Sequence, residues 1–263
     1  MSEAPPALFD AHLHPETLTD RDLESMRLFG VERALALAHH EPIESRAAQV
    51  RAHFDDLIQT QLPRLERHGI RAWAALGAHP QALPARGLPE ILSVLPEYFR
   101  GGKVVALGEI GLHRGGEAEE EAFTEQLQLA RRLKLSVVVH TPHRDKDAIT
   151  RRALALLRDC GLPPNRVLVD HASATTLKGI LACGYYAGLT IHPDELSAER
   201  AVKLIRSIGT ERVVMNSDSG DGVGDILGLA RAARLLERDE LSAAVVARVT
   251  RENAERFLRV EAS

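Results

Sequence analysis

Residues 135–171 read LSVVVHTPHRDKDAITRRALALLRDCGLPPNRVLVDH, and the pattern of apolar residues in this stretch indicates the type of fold. Two short runs rich in β-branched residues, at 136–140 and 166–170, flank a longer amphipathic run at 144–159. Apolar runs of this short length predict buried strands, and the longer run predicts a helix. Gly161 follows the helical run, where a glycine cap typically ends a helix. The stretch therefore predicts one strand–helix–strand unit with parallel strands.

The same alternation repeats along the chain. Strands are predicted at residues 7–11, 33–38, 71–77, 104–109, 136–140, 166–170, 185–191 and 212–216. Helices are predicted at residues 20–29, 43–68, 88–98, 117–133, 144–159, 174–182, 197–208 and 224–237, with an extra C-terminal helix at 242–258. Thr19 and Ser197 stand where N-terminal caps are expected. Eight alternations within 263 residues predict an α/β fold, a (β/α)8 TIM barrel with some distortion allowed, formed by a single domain over residues 1–263.

Composition narrows the classes of protein and partner. Apolar residues make up 44% and charged residues 27%, a balance typical of globular domains. Aromatic residues make up only 4% and the formal net charge is -4, so neither stacking platforms nor overall charge favours nucleic acid, although a local basic patch could bind phosphate. Cys160 and Cys183 show no disulfide or CxxC spacing. With no signal-peptide pattern and no apolar run of membrane-spanning length, we expect a cytoplasmic protein without membrane contact; the oligomeric state stays open.

Residue types that bind metals stand at the ends of the predicted strands. They are His12 and His14 at the first strand, Glu109 at the fourth, His140 at the fifth, His171 at the sixth and Asp218 at the eighth. In a parallel barrel the carboxyl ends of all strands converge on one face, where active sites lie. Side chains two apart on a strand point the same way, so a His-x-His pair can present two imidazoles to one ion. The sequence therefore predicts that these residues meet in one pocket.

Each of these residues has a simpler interpretation when it is taken alone. Glu109 lies in the apolar run ALGEIGL, where a carboxylate needs either a salt bridge or a metal cation, and the flanking glycines indicate a close approach to the backbone. Asp218 could form an N-cap or an Asx-turn, and a lone histidine is more often a satisfied core residue. Their joint occurrence favours a metal centre. Imidazole and carboxylate without thiolate favour zinc, with manganese or magnesium as alternatives, and one carboxylate can bridge two ions.

Weaker signals indicate contacts with substrate. The candidates are His79, His113, His143, Arg144 and His192. The basic cluster at 143–146 could bind an anionic group or could form a solvated first helical turn. The glycine-rich run at 220–224 lacks the lysine and the context of a phosphate loop, so we expect a flexible loop there. The adjacent histidines at 39–40 are expected to be a loop feature and not a ligand pair.

Taken in order, the motifs resemble those of a known family. His-x-His, then Gly-Glu-Ile-Gly-Leu, then two strand-ending histidines and Ser-Asp-Ser resemble the TatD-like metal-dependent hydrolases of the amidohydrolase superfamily. The likeness runs from Phe9 to about Asp218, and the Gly-x-His-Pro turn at 77–80 also matches. The resemblance implies a binuclear divalent metal centre on a barrel, and a hydrolase that uses the centre to activate water.

The resemblance also implies a role for each candidate ligand. One ion would be held by His12, His14 and Asp218, the other by His140 and His171, with Glu109 as the bridge. Glu109 would take the place that a carbamylated lysine fills in other branches of the superfamily. Asp218 and Glu109 are the residues expected to act in catalysis, with Asp218 receiving a proton from the attacking water.

Three departures from the family pattern lie near the predicted pocket and bear on the substrate. His113 stands where an acidic residue is usual, Ser173 where an aromatic residue is often found, and Asp218-Ser219-Gly220 replaces the usual Asp-x-Pro. We expect a phosphoester substrate, either a small molecule or a nucleic-acid end. Two alternatives stay open: hydrolysis of a small C–N, ester or lactone substrate, and a catalytically silent barrel that serves as a binding partner.

Overall fold

The strands of the protein form a single parallel sheet. The computed structural model describes residues 6–38, 47–83 and 87–260. Within them, eight strands follow one another in the sheet in chain order, and each pairs in parallel with the next. The strands are β1 Leu8–Leu13, β2 Val31–Leu37, β3 Arg71–Leu76, β4 Val104–Gly111, β5 Ser136–His140, β6 Val167–Val169, β7 Tyr186–Thr190 and β8 Val213–Asn216.

Helices connect consecutive strands and follow the last one. The α-helices are α1 Asp20–Leu28, α2 Ala47–Asp56, α3 Leu62–Arg67, α4 Leu88–Tyr98, α5 Glu117–Leu133, α6 Lys146–Cys160, α7 Leu177–Ala182, α8 Ala198–Ile208, α9 Gly228–Arg238, α10 Ala243–Ala247 and α11 Asn253–Leu258. Turns of π-helix at Leu57–Gln61 and Arg248–Glu252 join α2 to α3 and α10 to α11. Short 3-10 turns lie at Pro15–Thr17, Pro80–Ala82, Phe99–Gly101 and Pro164–Arg166.

The first and last strands meet at their carboxyl ends. The backbone N–H of Asp218 donates to the carbonyl of His12 at 3.0 Å, and the N–H of His14 donates to the carbonyl of Ser219 at 2.8 Å. These hydrogen bonds nearly close the sheet into a barrel. The strand ends that carry the candidate ligands therefore surround one opening.

The opposite end of the barrel is covered by the C-terminal helix. Ala254 and Phe257 of α11 join the apolar cluster inside the barrel, which includes Phe9, Leu35, Trp73, Val138, Leu168, Tyr186 and Val214. The hydroxyl of Ser136, at the start of β5, donates to the carbonyl of Phe257 at 2.9 Å. The amide of Asn253 donates to the carbonyl of Val213, at the start of β8, at 2.8 Å. The extra helix therefore closes the amino-terminal end and leaves the carboxyl ends open.

The predicted (β/α)8 barrel with an extra C-terminal helix is confirmed. Thr19 and Ser197 cap α1 and α8, because each hydroxyl accepts a hydrogen bond from a backbone N–H of the first turn. Among the helices whose start is described, two begin three or four residues later than predicted. The helix expected at 174–182 begins at Leu177, after a turn in which the N–H of Ser173 donates to the Thr176 hydroxyl at 2.9 Å.

The helix expected at 224–237 begins at Gly228, because the preceding residues form a turn in which Asp225 accepts a hydrogen bond from the N–H of Leu227 at 3.1 Å. The start of the helix expected at 43–68 and the histidines at 39–40 lie outside the described residues. Every helix among the described residues is too short or too polar to span a bilayer. The single-domain interpretation stays a prediction.

One glycine makes room for a buried carboxylate beneath the barrel opening. Asp170 follows β6, is fully buried, and accepts hydrogen bonds from the Asn216 amide at 2.9 and 3.1 Å. A Cβ atom on Gly188 of β7 would lie 1.9 Å from Oδ1 of Asp170, far inside van der Waals contact. The sequence of β7 therefore has to leave this position without a side chain.

We expect Gly188→Ala to destabilise the protein by at least about 1–3 kcal/mol, the usual cost of overpacking a core. Urea denaturation measures this change. The matched control is Gly179→Ala in α7, where an added Cβ meets no atom within 4 Å. That control should be neutral or stabilising by up to about 1 kcal/mol, because alanine is the better helix former. Equal free energies of unfolding for the two variants would contradict the packing described.

Candidate metal centre

A cavity of about 140 Å³ lies at the carboxyl ends of the strands. Its described lining is almost entirely polar: His14, His79, Gln81, Glu109, His113, His140, His143, His171, Glu195, Asp218 and Asp221. Five of the six predicted metal ligands are on this surface, and His12 lies directly beneath it in contact with Glu109 and Asp218. The structure therefore brings all six together.

Three ligand atoms from the two ends of the sheet converge at one point. The Nε2 atoms of His12 and His14 lie 3.2 Å apart. Both point at Oδ1 of Asp218, at 3.3 Å from His12 and 3.2 Å from His14. The two histidines reach the same point because they are two residues apart on β1.

The hydrogen bonds behind these histidines determine where the ring protons lie. Nδ1 of His14 faces the carbonyl of Leu37 at 3.1 Å, and Nδ1 of His12 faces Oδ2 of Asp170 at 2.8 Å. A carbonyl or carboxylate oxygen can only accept, so each Nδ1 donates and each neutral ring keeps a lone pair on Nε2. Oδ1 of Asp218 is buried and accepts no hydrogen bond. When both rings are neutral, their two Nε2 lone pairs and Oδ1 of Asp218 therefore face one another, an arrangement that fits a divalent cation and matches the way histidine ligands are usually oriented.

Glu109 connects this group to the other two histidines. Its Oε2 lies 3.2 Å from Nε2 of His12. Its Oε1 lies 3.1 Å from Nε2 of His171 and 3.2 Å from Nδ1 of His140. The two oxygens of one carboxylate therefore face two different sets of imidazoles. Among the residues that the structure describes, ligand atoms close enough to hold an ion form three overlapping groups: His12, Glu109 and His171; His12, His14 and Asp218; His79, Glu109 and His140.

The charges of the cluster attract positive charge. Burial raises the pKa of Glu109, but the neighbouring His12 and hydrogen bonds from the other histidines hold that pKa well below its usual range. Burial likewise raises the pKa of Asp218, and the charges of His12 and His171 more than reverse it. Burial lowers the pKa of His171, but Asp170 and Glu109 raise it to about 9. The carboxylates therefore stay ionised, and the field that draws protons to the imidazoles would also favour a bound cation.

Two of the candidate ligands have a backbone that is rare outside glycine. His171 has φ of 54° and Asp218 has φ of 52°. Left-handed backbone costs about 1–2 kcal/mol for such residues and persists where surrounding contacts fix it. The ammonium of Lys146 donates to the carbonyl of His171 at 2.6 Å, and the N–H of Asp218 is bonded to β1. These contacts hold the left-handed backbone conformation in which both side chains face the cavity.

The weaker candidates divide into two groups. His79, His113 and His143 line the cavity, whereas Arg144 is exposed and is not part of the described lining. His192 lines a neighbouring cavity of about 180 Å³. Its Nδ1 accepts from the backbone N–H of Asp194 at 3.2 Å, so its Nε2 donates to the carbonyl of Asp221 at 3.1 Å. His192 therefore supports a loop beside the site.

Two members of the basic cluster at 143–146 are paired with a carboxylate that the sequence did not single out. Glu195 contacts Nδ1 of His143 at 2.9 Å and the ammonium of Lys146 at 2.9 and 3.0 Å. Burial raises the pKa of Glu195, but the hydrogen bond from His143 and the charge of Lys146 lower it on balance. Among the described residues that line the cavity, none is lysine or arginine.

Several residues that shape the site were not identified from the sequence. Asp170 orients His12, and the hydroxyl of Thr190 lies 3.0 Å from Nδ1 of His171. The carboxylate of Asp10 accepts from the N–H of Ser217 at 3.0 Å, and burial raises the pKa of Asp10 to about 6. Asp10 could have been found, because it is two residues before His12 and so shares its face of the strand.

The glycines around Glu109 confirm that another segment approaches the backbone closely, and their surroundings identify that segment. A Cβ on Gly108 would lie 2.8 Å from Cβ of Val138, and one on Gly111 would lie 2.6 Å from the carbonyl oxygen of His140. The neighbour is therefore β5 itself. The glycines let β4 and β5 pack closely, which brings Glu109 within reach of His140.

Comparison with known proteins gives a consistent result. The family described as TatD-related DNase matches residues 9–259. An uncharacterized metal-dependent hydrolase of Methanocaldococcus jannaschii is 29% identical over 255 residues, covering 96% of this chain and 100% of the relative. A 3'-5' ssDNA/RNA exonuclease TatD of Citrobacter rodentium is 31% identical over 179 residues, covering 60% of this chain and 61% of the relative.

A solved structure agrees with these matches. The crystal structure of a TatD-like protein from Archaeoglobus fulgidus superimposes with a TM-score of 0.81 at 28% identity, covering 96% of this chain and 100% of that one. The family match spans nearly the whole chain, including every strand that carries a candidate ligand. The resemblance in the motifs is thereby confirmed: this chain is a metal-dependent hydrolase and belongs to the TatD-related DNase family.

Proposed function

We propose that the protein hydrolyses phosphoesters with a centre of two divalent ions, zinc being the preferred metal. The observation that supports this most directly is Glu109, whose two carboxylate oxygens face different imidazoles at 3.1–3.2 Å. A carboxylate with partners on both oxygens is suited to bridge two cations. The nuclease relatives support a phosphoester as the bond that is cleaved.

The ligands divide between the two ions according to which atoms converge. His12, His14 and Asp218 would hold the first ion, because Nε2 of each histidine and Oδ1 of Asp218 lie within 3.3 Å of one another. His140 and His171 would hold the second, because both contact the same oxygen of Glu109.

His79 is assigned to the substrate instead of to an ion. Its Nδ1 accepts from the backbone N–H of Gln81 at 3.2 Å, so its Nε2 carries the ring proton. A protonated nitrogen cannot ligate a metal, but it can donate a hydrogen bond. Because His79 lines the cavity and its Nε2 lies 3.8 Å from Oε2 of Glu109, it can donate to a phosphate oxygen that enters there.

Chemistry at the site depends on a charged acceptor beside the reacting water. Divalent ions bound there would supply a Lewis acid and lower the pKa of a water molecule toward ~7. Asp218 is ionised, and its side chain is 10% exposed, so part of its carboxylate reaches the cavity. We assign it the role of orienting the attacking water and receiving the proton that the water loses.

A second candidate is hydrolysis of a small ester or lactone. The cavity is only about 140 Å³, and its described lining offers no lysine or arginine to hold a polyanion. Turnover of the zinc-loaded protein on bis(p-nitrophenyl) phosphate, a single-stranded oligonucleotide, p-nitrophenyl acetate and a lactone panel decides between the two. Chelator-sensitive cleavage of the phosphodiesters supports the first proposal, and cleavage confined to the acetate or lactones would replace it with the second.

Loss of a single ligand should affect one ion more than the other. We expect His14→Ala to weaken the first ion by more than the ~10–100-fold that loss of an outer partner costs, while the second ion stays bound. His171→Ala should do the reverse, because His171 contacts Glu109 and not His14. Zinc titration with metal analysis of each variant measures this. Complete metal loss from both variants would show that the two positions are not separable.

Asp218→Asn keeps the shape of the side chain and one ligating oxygen but removes its charge and most of its basicity. We expect zinc to be partly retained and kcat to fall by about 10²–10⁴-fold, the usual size of a lost general base. Zinc content and kcat are measured on the same samples. A near-native kcat with zinc bound would exclude Asp218 as the proton acceptor.

A further inference from the structure

A line of three side chains leads from Glu109 to the rim of the cavity. Nδ1 of His140 lies 3.2 Å from Oε1 of Glu109, and Nε2 of His140 lies 3.3 Å from Nδ1 of His113. Nε2 of His113 in turn lies 3.1 Å from the side-chain amide nitrogen of Gln81. Each ring therefore uses both nitrogens within this line.

The outer members of the line are held in place by the backbone. The carboxylate of Glu119 accepts hydrogen bonds from the backbone N–H groups of His113, Arg114 and Gly115, at 2.7, 2.9 and 2.9 Å. The backbone N–H of Gln81 is bonded to His79 at 3.2 Å. Since the loops are fixed at both points, the contacts between the side chains are set by the fold.

Without a bound ion, only one arrangement of protons satisfies the whole line. Glu109 is ionised and accepts from Nδ1 of His140, so the other nitrogen of His140 has a lone pair. That lone pair accepts from Nδ1 of His113, and Nε2 of His113 then accepts from the NH2 group of Gln81.

The reverse direction is available to the same atoms. If His140 carries its proton on Nε2, it donates to Nδ1 of His113. His113 then carries its proton on Nε2 and donates to the oxygen of Gln81 after the amide turns over. Each ring keeps one proton in both directions, so no net proton is gained or lost. Only in the reverse direction does Nδ1 of His140 present a lone pair toward Glu109.

We infer that Gln81 and His113 are positioning residues that set which nitrogen of His140 carries the proton, and that the line reverses when His140 ligates a cation. This inference rests on the proposed second ion. Glutamine suits position 81 because its amide can both donate and accept, so it fits either direction of the line. His113 transmits the change from His140 to Gln81. When one nitrogen of its neutral ring becomes the acceptor, the other nitrogen becomes the donor.

The direction of the line is tested in metal-free protein by imidazole ¹⁵N NMR, which distinguishes a protonated ring nitrogen from an unprotonated one. In the wild type, Nε2 of His140 should give the signal of an unprotonated nitrogen. In Gln81→Glu, the carboxylate can only accept, so the line reverses and Nε2 of His140 should become protonated. An unchanged Nε2 signal in Gln81→Glu would overturn the inference.

Zinc binding gives a second and independent readout. Gln81→Met keeps the size of the side chain but cannot accept from His113, so affinity for the second ion should fall by about 10–100-fold. Gln81→Glu should retain wild-type affinity or better. The control Gln61→Met makes the same change at a side chain that is bonded to Asp56 and is not part of the described lining of the cavity, and should leave zinc affinity unchanged. Wild-type affinity in Gln81→Met would contradict the inference.

The two proposals fail in different ways. If zinc leaves the His140 signals of the wild type unchanged, the proposed second ion is wrong, and the metal-free comparison of wild type with Gln81→Glu still decides the role of Gln81. If zinc shifts Nδ1 of His140 but Gln81→Glu does not alter Nε2 in the metal-free protein, the metal centre stands and the inference fails.

Discussion

The negative charge of Glu109 at the mouth of the barrel is the constraint on which the rest of the site depends. The residue is 2% exposed and its carboxylate is ionised, so hydrogen-bond donors or a cation have to lie within a few ångströms. Three imidazoles meet this requirement, because one ring nitrogen of each lies within 3.2 Å of a Glu109 oxygen. They belong to His12, His140 and His171. A salt bridge to lysine or arginine, the simpler interpretation of a carboxylate in an apolar strand, is not what the described residues provide.

The hydrogen bonds behind the ligands matter as much as the ligands. Asp170 and the carbonyl of Leu37 hold the protons of His12 and His14 on the far side of each ring. Without these acceptors the lone pairs would not face Asp218. Asp170 occupies its position only because Gly188 on the next strand has no side chain. A glycine in β7 thus helps to orient a histidine in β1.

The barrel and the set of candidate ligands could be predicted from the sequence, because both depend on local periodicity. Short β-branched runs alternating with amphipathic ones predicted the barrel, and the fixed direction of its strands placed all six candidate ligands on one face. The interpretation of Glu109 needed only the observation that a charge lies within an apolar strand. These features are local, so residue spacing reports them directly.

The remainder of the site depends on contacts between distant segments, which spacing does not report. Glu195, in the loop after β7, pairs with the His143 and Lys146 side chains that the sequence suggested as contacts for an anion. His192 stands at a strand end like the ligands, yet both of its nitrogens bind backbone groups. Gln81 gives no signal in the sequence, because its importance depends entirely on its position beside His113.

The most direct test of this account is anomalous X-ray scattering at the zinc edge from crystals of the zinc-loaded protein. The account predicts two zinc peaks that share Glu109. One should be bonded to Nε2 of His12, Nε2 of His14 and Asp218, and the other to Nδ1 of His140 and Nε2 of His171. A single peak, or a peak bonded to His79 in place of His140, would contradict the assignment of ligands to two separate ions.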